Sequence, residues 1–212
     1  MNPVFFIGAL ALLQAEATEE PVSDYEACAE LATTSPDAAA RFAEQWMSDG
    51  GGIEAKHCAA IAMLAQGAPR SAGALLIDLA ESKEANPVLA SQLYVQAAEA
   101  LLSGGAKEKA FEAVRSAYRL MPDAPEIHVA AAAIYATAEE WEGVKLTLTA
   151  LERQAALSAD AYALRGRAHF ELGDHQAATE DVVRALELEP LLVDALVLRG
   201  DLLTAGYPVD RE

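Results

Sequence analysis

The chain has 212 residues, 15 of them basic and 33 acidic, for a formal net charge of −18. With 53% apolar residues it is too hydrophobic for a disordered acidic chain, so a packed fold of one or two domains is expected. The charge excludes partners held through phosphates, since nucleic acid and anionic lipid surfaces are repelled, and it leaves a neutral or basic partner. Only 6% of residues are aromatic while alanine is abundant, which points to helices packed closely through small side chains.

At the N-terminus an apolar run extends from Val4 to Leu13. It falls short of the roughly 20 residues of a membrane-spanning helix and fits the apolar region of a secretory signal peptide. Ala15-Glu16-Ala17 is an A-x-A pattern. The reading is a signal peptide over 1–17, cleaved after Ala17 or alternatively after Ala15, then a linker over 18–22. No basic residue precedes the apolar run, and the alternative is a short apolar helix packed on the body. Export would place the mature protein in the periplasm or outside the cell. No cysteine lies near the cleavage region, which argues against a lipid anchor.

Residues 23–86 are predicted to form irregular helical pairs. Ser23-Asp24-Tyr25-Glu26 is an S-x-x-E capping box that opens one helix. Ser35-Pro36 is an N-cap followed by proline at the first helical position and opens another. Ser48 to Gly52 is a stop. Ile53–Gln66 and Pro69–Ser82 are the next two predicted helices, with Gly67 between them. Cys28 and Cys58 are the only cysteines. An even count in an exported chain reads as a disulfide, tying the first pair to the next helix. Two buried free thiols are the alternative. A metal site would need three or four ligands, and His57 beside Cys58 comes with no ligating spacing.

From residue 87 onward the chain repeats itself. Ala98, Leu101, Ala110, Ala117 and Pro122 recur 68 residues later as Gly166, His169, Ala178, Ala185 and Pro190, and Ala132, Tyr135, Val144 and Leu151 fall at the intermediate phase. The units are 91–124, 125–158 and 159–192, and a fourth begins at Val193 and stops after one helix. Asp123 and Glu126 are read as a cap opening the second unit. Small residues at Ala98, Ala132 and Gly166 should let paired helices approach, and Pro122 and Pro190 should end the second helix of their units. About eleven helices and no strand are expected.

This period and these positions resemble the tetratricopeptide repeat, most closely over Tyr162, Gly166, Gly173, Ala178, Ala185, Leu186 and Pro190. His128 and His169 stand where aromatic residues are usual, and Ala156 replaces the proline of the middle unit. The resemblance implies an all-α, right-handed superhelical solenoid of helix–turn–helix repeats, and an exported bacterial member of that family.

No catalytic motif is present: there is no G-x-S-x-G, G-x-x-x-x-G-K, G-x-G-x-x-G or H-E-x-x-H. The expectation is a non-enzymatic protein with no cofactor and no metal. Trp46, Trp141, Tyr94, Tyr135 and Tyr162 read as packing anchors. Arg165 and Arg199 share one repeat phase, and their expected role is a stem along the inter-repeat groove with its charged head in water. The resemblance implies that the first helix of each unit lines a concave binding surface. The positions so implied include Gln92, Glu99, Glu126, Asp160, Arg167, Phe170, Glu171, Asp194 and Asp201, six acids and one base among them. The lysines, arginines and asparagines that clamp a terminal carboxylate in such proteins are absent; Val95, Glu99 and Ala130 stand in their places. The implied function is a protein-binding scaffold in the bacterial cell envelope, with a docking subunit of an envelope enzyme or secretion complex as the alternative. An enzyme site around Cys28, His57 and Cys58 is a third reading. Leu202-Leu203 is expected to leave an apolar face open to self-association.

Overall fold

A computed structural model describes residues 23–209. The signal peptide and linker expected over 1–22 lie outside the described residues. Within them are eleven α-helices and no strand: α1 Asp24–Thr34, α2 Pro36–Ser48, α3 Gly52–Ala65, α4 Pro69–Ala80, α5 Pro87–Ser103, α6 Lys107–Leu120, α7 Pro125–Thr137, α8 Trp141–Glu152, α9 Ala159–Glu171, α10 His175–Leu188 and α11 Val193–Thr204. Each odd-numbered helix from α1 to α9 packs against the even-numbered one that follows it, forming a hairpin. The first helices of neighbouring hairpins also touch: α1 with α3, α5 with α7, α7 with α9 and α9 with α11. A ladder of thin hairpins results, each hiding its apolar side against the next.

Small residues set how closely the hairpins stack. Ala98, Ala110, Ala132 and Ala178 are fully buried where α5 meets α6, α7 meets α8 and α9 meets α10. At Gly166 an added Cβ would come within 3.1 Å of Asp181 Cβ and 3.2 Å of Leu198 Cδ2, so three helices converge on a position with no side chain. From α3 onward each hairpin turn contains one residue with positive φ, whereas the α1–α2 turn at Ser35 has none. Gly105 (+72°), Glu139 (+57°) and Gly173 (+81°) supply it, 34 residues apart. Gly67 (+75°) does the same 38 residues before Gly105, which places four extra residues between the α3–α4 hairpin and the regular register. The middle unit thus uses a glutamate where the others use glycine.

The helix starts vary in quality. Ser23 forms the predicted capping box with Glu26. Asn86, Ser158 and Asp174 also accept a backbone N–H at N3. Two expected caps fail. Ser35 stands at the N-cap of α2, but it is also the C-cap of α1, donating its N–H to Leu31 O, and the backbone shared by two helices leaves its side chain no cap hydrogen bond. At α7 the cap position is Ala124, one residue past Asp123, and Pro125 at the first turn opens the helix without a side-chain cap.

The two cysteines are joined, Cys28 Sγ to Cys58 Sγ, across α1 and α3. The bond lies in a small cluster with Ala43, Phe42 and Trp46. Leu202 is fully buried and only Leu203 is exposed, so the apolar face expected from that pair is narrower than predicted. Among the described residues no helix is long and apolar enough to cross a membrane.

Candidate functional site

The first helices α5, α7, α9 and α11 present their outer positions side by side, and hollows open between them. One, of about 400 Å³, lies between α5 and α7 and is lined by Glu99, Leu102, Ser103, Ala133, Ile134 and Thr137. A second, of about 240 Å³, lies between α9 and α11 and is lined by Asp160, Ala163, Leu164, Arg167, Asp194 and Val197. Helical periodicity explains the arrangement. In α5, Leu93, Ala97, Ala98 and Leu101 turn inward, so Gln92, Glu99 and Ser103 are left on the outer side. Of the nine residues expected to contact a partner, Glu99 lines the first hollow and Asp160, Arg167 and Asp194 line the second. Gln92 faces a third hollow bounded by α1, α3 and α5. Glu126 is exposed on the first turn of α7, outside these hollows.

The electrostatics of this face are one-sided. Its one base, Arg167, is paired internally: Nη2 lies 2.7 Å from Asp201 Oδ2 and Nη1 lies 3.5 Å from Glu171 Oε1. The guanidinium also sits 5.5 Å over the ring of Phe170. Phe170 is itself half-buried against His175, 5.2 Å away, and offers a partner only part of its ring. Glu99, Glu126, Asp160 and Asp194 are exposed and make no ion pair among the described residues. Four uncompensated carboxylates therefore line a surface whose single cation already has its partners.

Arg165 departs from expectation. Its head is not in water: the residue is 7% exposed, and Nε and Nη2 donate to the two carboxylate oxygens of Asp181 at 2.9 and 2.7 Å. Nη1 donates to Glu152 Oε2 at 2.6 Å, and Tyr162 O–H donates to the other oxygen of Glu152 at 3.1 Å. The hydrogen bond from Arg165 holds the Glu152 carboxyl below the ordinary carboxylate range, although partial burial opposes it. The same partners raise the guanidinium above its usual value against the desolvation that would lower it. This bidentate fork belongs inside the repeat, tying α9 to α10 and α8. The missed signal lay in the repeat alignment: Arg165 and Asp181 correspond to Ala97 and Ala113 in the first unit and to Ala131 and Thr147 in the second, so the two charges arrived together.

His128 and His57 are held by hydrogen bonds within the fold. His128 is 2% exposed, donates from Nε2 to Pro122 O at 2.9 Å and accepts Tyr118 O–H at Nδ1 at 3.1 Å. His57 accepts Tyr25 O–H at Nδ1 and donates from Nε2 to Gln96 Oε1. The two cysteine sulfurs are bonded to each other, which removes the thiolate that an enzyme site around Cys28, His57 and Cys58 would require.

A sequence model described as tetratricopeptide repeat matches residues 159–190. No curated protein matches the sequence. Among solved structures the chain is similar to YrrB, a TPR protein described as having an unusual peptide-binding site, at 16% identity over 87% of this chain and 94% of that one, with a TM-score of 0.61. It is similar to PilF of Pseudomonas aeruginosa at 14% identity, covering 84% and 80% of the two chains, with a TM-score of 0.58. A thermophilic TPR protein of Thermus thermophilus gives 19% identity, 85% and 97% coverage, and a TM-score of 0.54. Identities this low speak for the fold alone. The chain is an all-α solenoid of helix–turn–helix hairpins with the fold of solved tetratricopeptide-repeat proteins, and it carries a repeat, 159–190, that matches that family's sequence model.

Proposed function

We propose that this protein is a non-enzymatic interaction scaffold of the bacterial cell envelope that binds a neutral or basic extended segment of a partner along the face of α5, α7, α9 and α11. The observation that carries this reading is the set of four uncompensated carboxylates on this face, of which Glu99, Asp160 and Asp194 line hollows whose only base is already paired. A basic segment placed there keeps its charges solvated at the rim while the acids attract it from a distance. YrrB, which has a similar fold, is described as having a peptide-binding site, which supports a peptide as the ligand. Export is supported by the Cys28–Cys58 pairing, since disulfides persist in oxidising compartments, and by the A-x-A pattern at Ala15-Glu16-Ala17.

The test is a pair of titrations followed by fluorescence anisotropy, one with a lysine-rich and one with a glutamate-rich peptide of equal length. The lysine-rich peptide is expected to bind the wild-type protein more tightly and to weaken on Asp160→Lys/Asp194→Lys substitution. Tighter binding of the glutamate-rich peptide would overturn the proposal.

A further inference from the structure

The hollow bounded by α1, α3 and α5 has a hydrogen-bonded wall that the other two hollows lack. Its floor is apolar, made by Ile53, Leu89 and the buried Leu93. Its wall is a linear chain of hydrogen bonds, Tyr25 O–H to His57 Nδ1 at 2.7 Å and His57 Nε2–H to Gln96 Oε1 at 2.6 Å, with the Tyr25 and His57 rings stacked at 5.8 Å. Tyr25 lies three residues before Cys28 and His57 directly before Cys58, so the disulfide fixes this wall from behind. At about 290 Å³ the hollow lies at the lower edge of the roughly 300–1,000 Å³ range of ligand pockets and has room for a side chain.

The rim specifies what that side chain is attached to. With Oε1 of Gln96 held by His57, the amide NH₂ of this exposed residue has no partner among the described residues and is left as a donor. Gln92, exposed one turn earlier on α5, brings a second amide. Residues four apart on a helix are separated by about 6 Å along its axis, close to the roughly 6.6–6.8 Å between alternate residues of an extended chain. Two successive carbonyls on one side of an extended segment therefore match the two glutamines. Glu54, exposed on the same rim and without an ion pair among the described residues, adds an uncompensated negative charge at this hollow.

We infer that this hollow is the anchor site of the binding face, taking one aliphatic side chain of an extended partner segment whose flanking residues are lysine or arginine, with Gln92 and Gln96 holding its backbone carbonyls. The inference rests on the proposed binding of a basic segment and adds the residue that fixes its register. The experiment is selection of random heptapeptides displayed on phage against the oxidised protein. The enriched peptide is then titrated against wild type, Leu89→Ser, Gln92→Ala/Gln96→Ala and Asp160→Lys/Asp194→Lys. The expected peptides combine one leucine, isoleucine, valine or methionine with two or more basic residues. Leu89→Ser and the double glutamine variant should each weaken them about tenfold. Both glutamines are exposed, so that variant keeps its helical dichroism and remains informative if Leu89→Ser unfolds. If basic peptides are enriched yet bind both hollow variants as they bind wild type, while Asp160→Lys/Asp194→Lys weakens them, the anchor site is wrong and the acidic face stands. If acidic peptides or none are enriched, both readings fall.

Discussion

Arg165 shows how a single side chain can be misplaced by pattern and then placed by chemistry. A guanidinium with 7% exposure survives inside a repeat only because Asp181 meets it with two hydrogen bonds and Glu152 with a third. Arg165→Met leaves Asp181 buried without its counter-charge and is expected to cost about 3–5 kcal/mol by urea unfolding. Arg165→Met/Asp181→Ala, which restores the apolar character of the first unit at both positions, should cost less than the single change. The pH dependence has a definite sign. Glu152 is held below its ordinary pKa in the folded state, so its contribution is present above the unfolded value near 4.5 and fades as pH falls through the lower folded value. Wild type should therefore lose more stability than Arg165→Met on acidification below that range. At this scale the sequence was only half legible. Arg165 was visible as a repeat-phase residue, but its burial depends on a partner 16 positions away that a search for surface grooves does not weigh.

The hairpin turn shows the same logic at the level of the element. Positive φ recurs at Gly105, Glu139 and Gly173, and only the middle unit meets the demand with a side chain. Replacing Glu139 with glycine should relieve the left-handed strain and stabilise the protein by about 0.5–1 kcal/mol, raising its thermal midpoint. The first three helices depend on covalent help instead. The buried members of their clusters, Cys28, Ala43 and Cys58 in one and Ala32, Ala39 and Ala62 in the other, are all small, and Phe42, Trp46, Leu31 and Ile61 are only partly buried against them. A bridge with a sequence separation of 30 contributes about 3.6 kcal/mol on the chain-entropy model. Reduction is expected to open α1 and α2 first, seen as loss of amide-exchange protection there while α5 to α11 stay protected; uniform loss would argue against it. Helix positions were legible because the 34-residue period, prolines and small residues act locally. The caps at Ser35 and Ala124 were not, because one residue of offset or one residue shared between helices decides them.

Across the whole molecule, stacking turns scattered acids into a surface. Glu99, Asp160 and Asp194 lie on three different helices, at least 34 residues apart in the chain, and become one face only when the first helices align. The resemblance to tetratricopeptide repeats pointed in advance to Glu99, Asp160, Arg167 and Asp194, which the structure brings beside the two hollows. The α1–α3–α5 hollow was not readable, since Tyr25, His57 and Gln96 come from helices of different register and meet through a disulfide and two hydrogen bonds. The central claim is that the acidic face of the first helices binds a basic extended segment. Its most direct test is nitrogen-15 NMR of the oxidised protein titrated with a lysine-rich peptide. Shifts concentrated at Glu99, Asp160, Asp194 and their neighbours on α5, α9 and α11, and weakening with added salt, are the predicted result. Shifts confined to α6, α8 and α10 would contradict it.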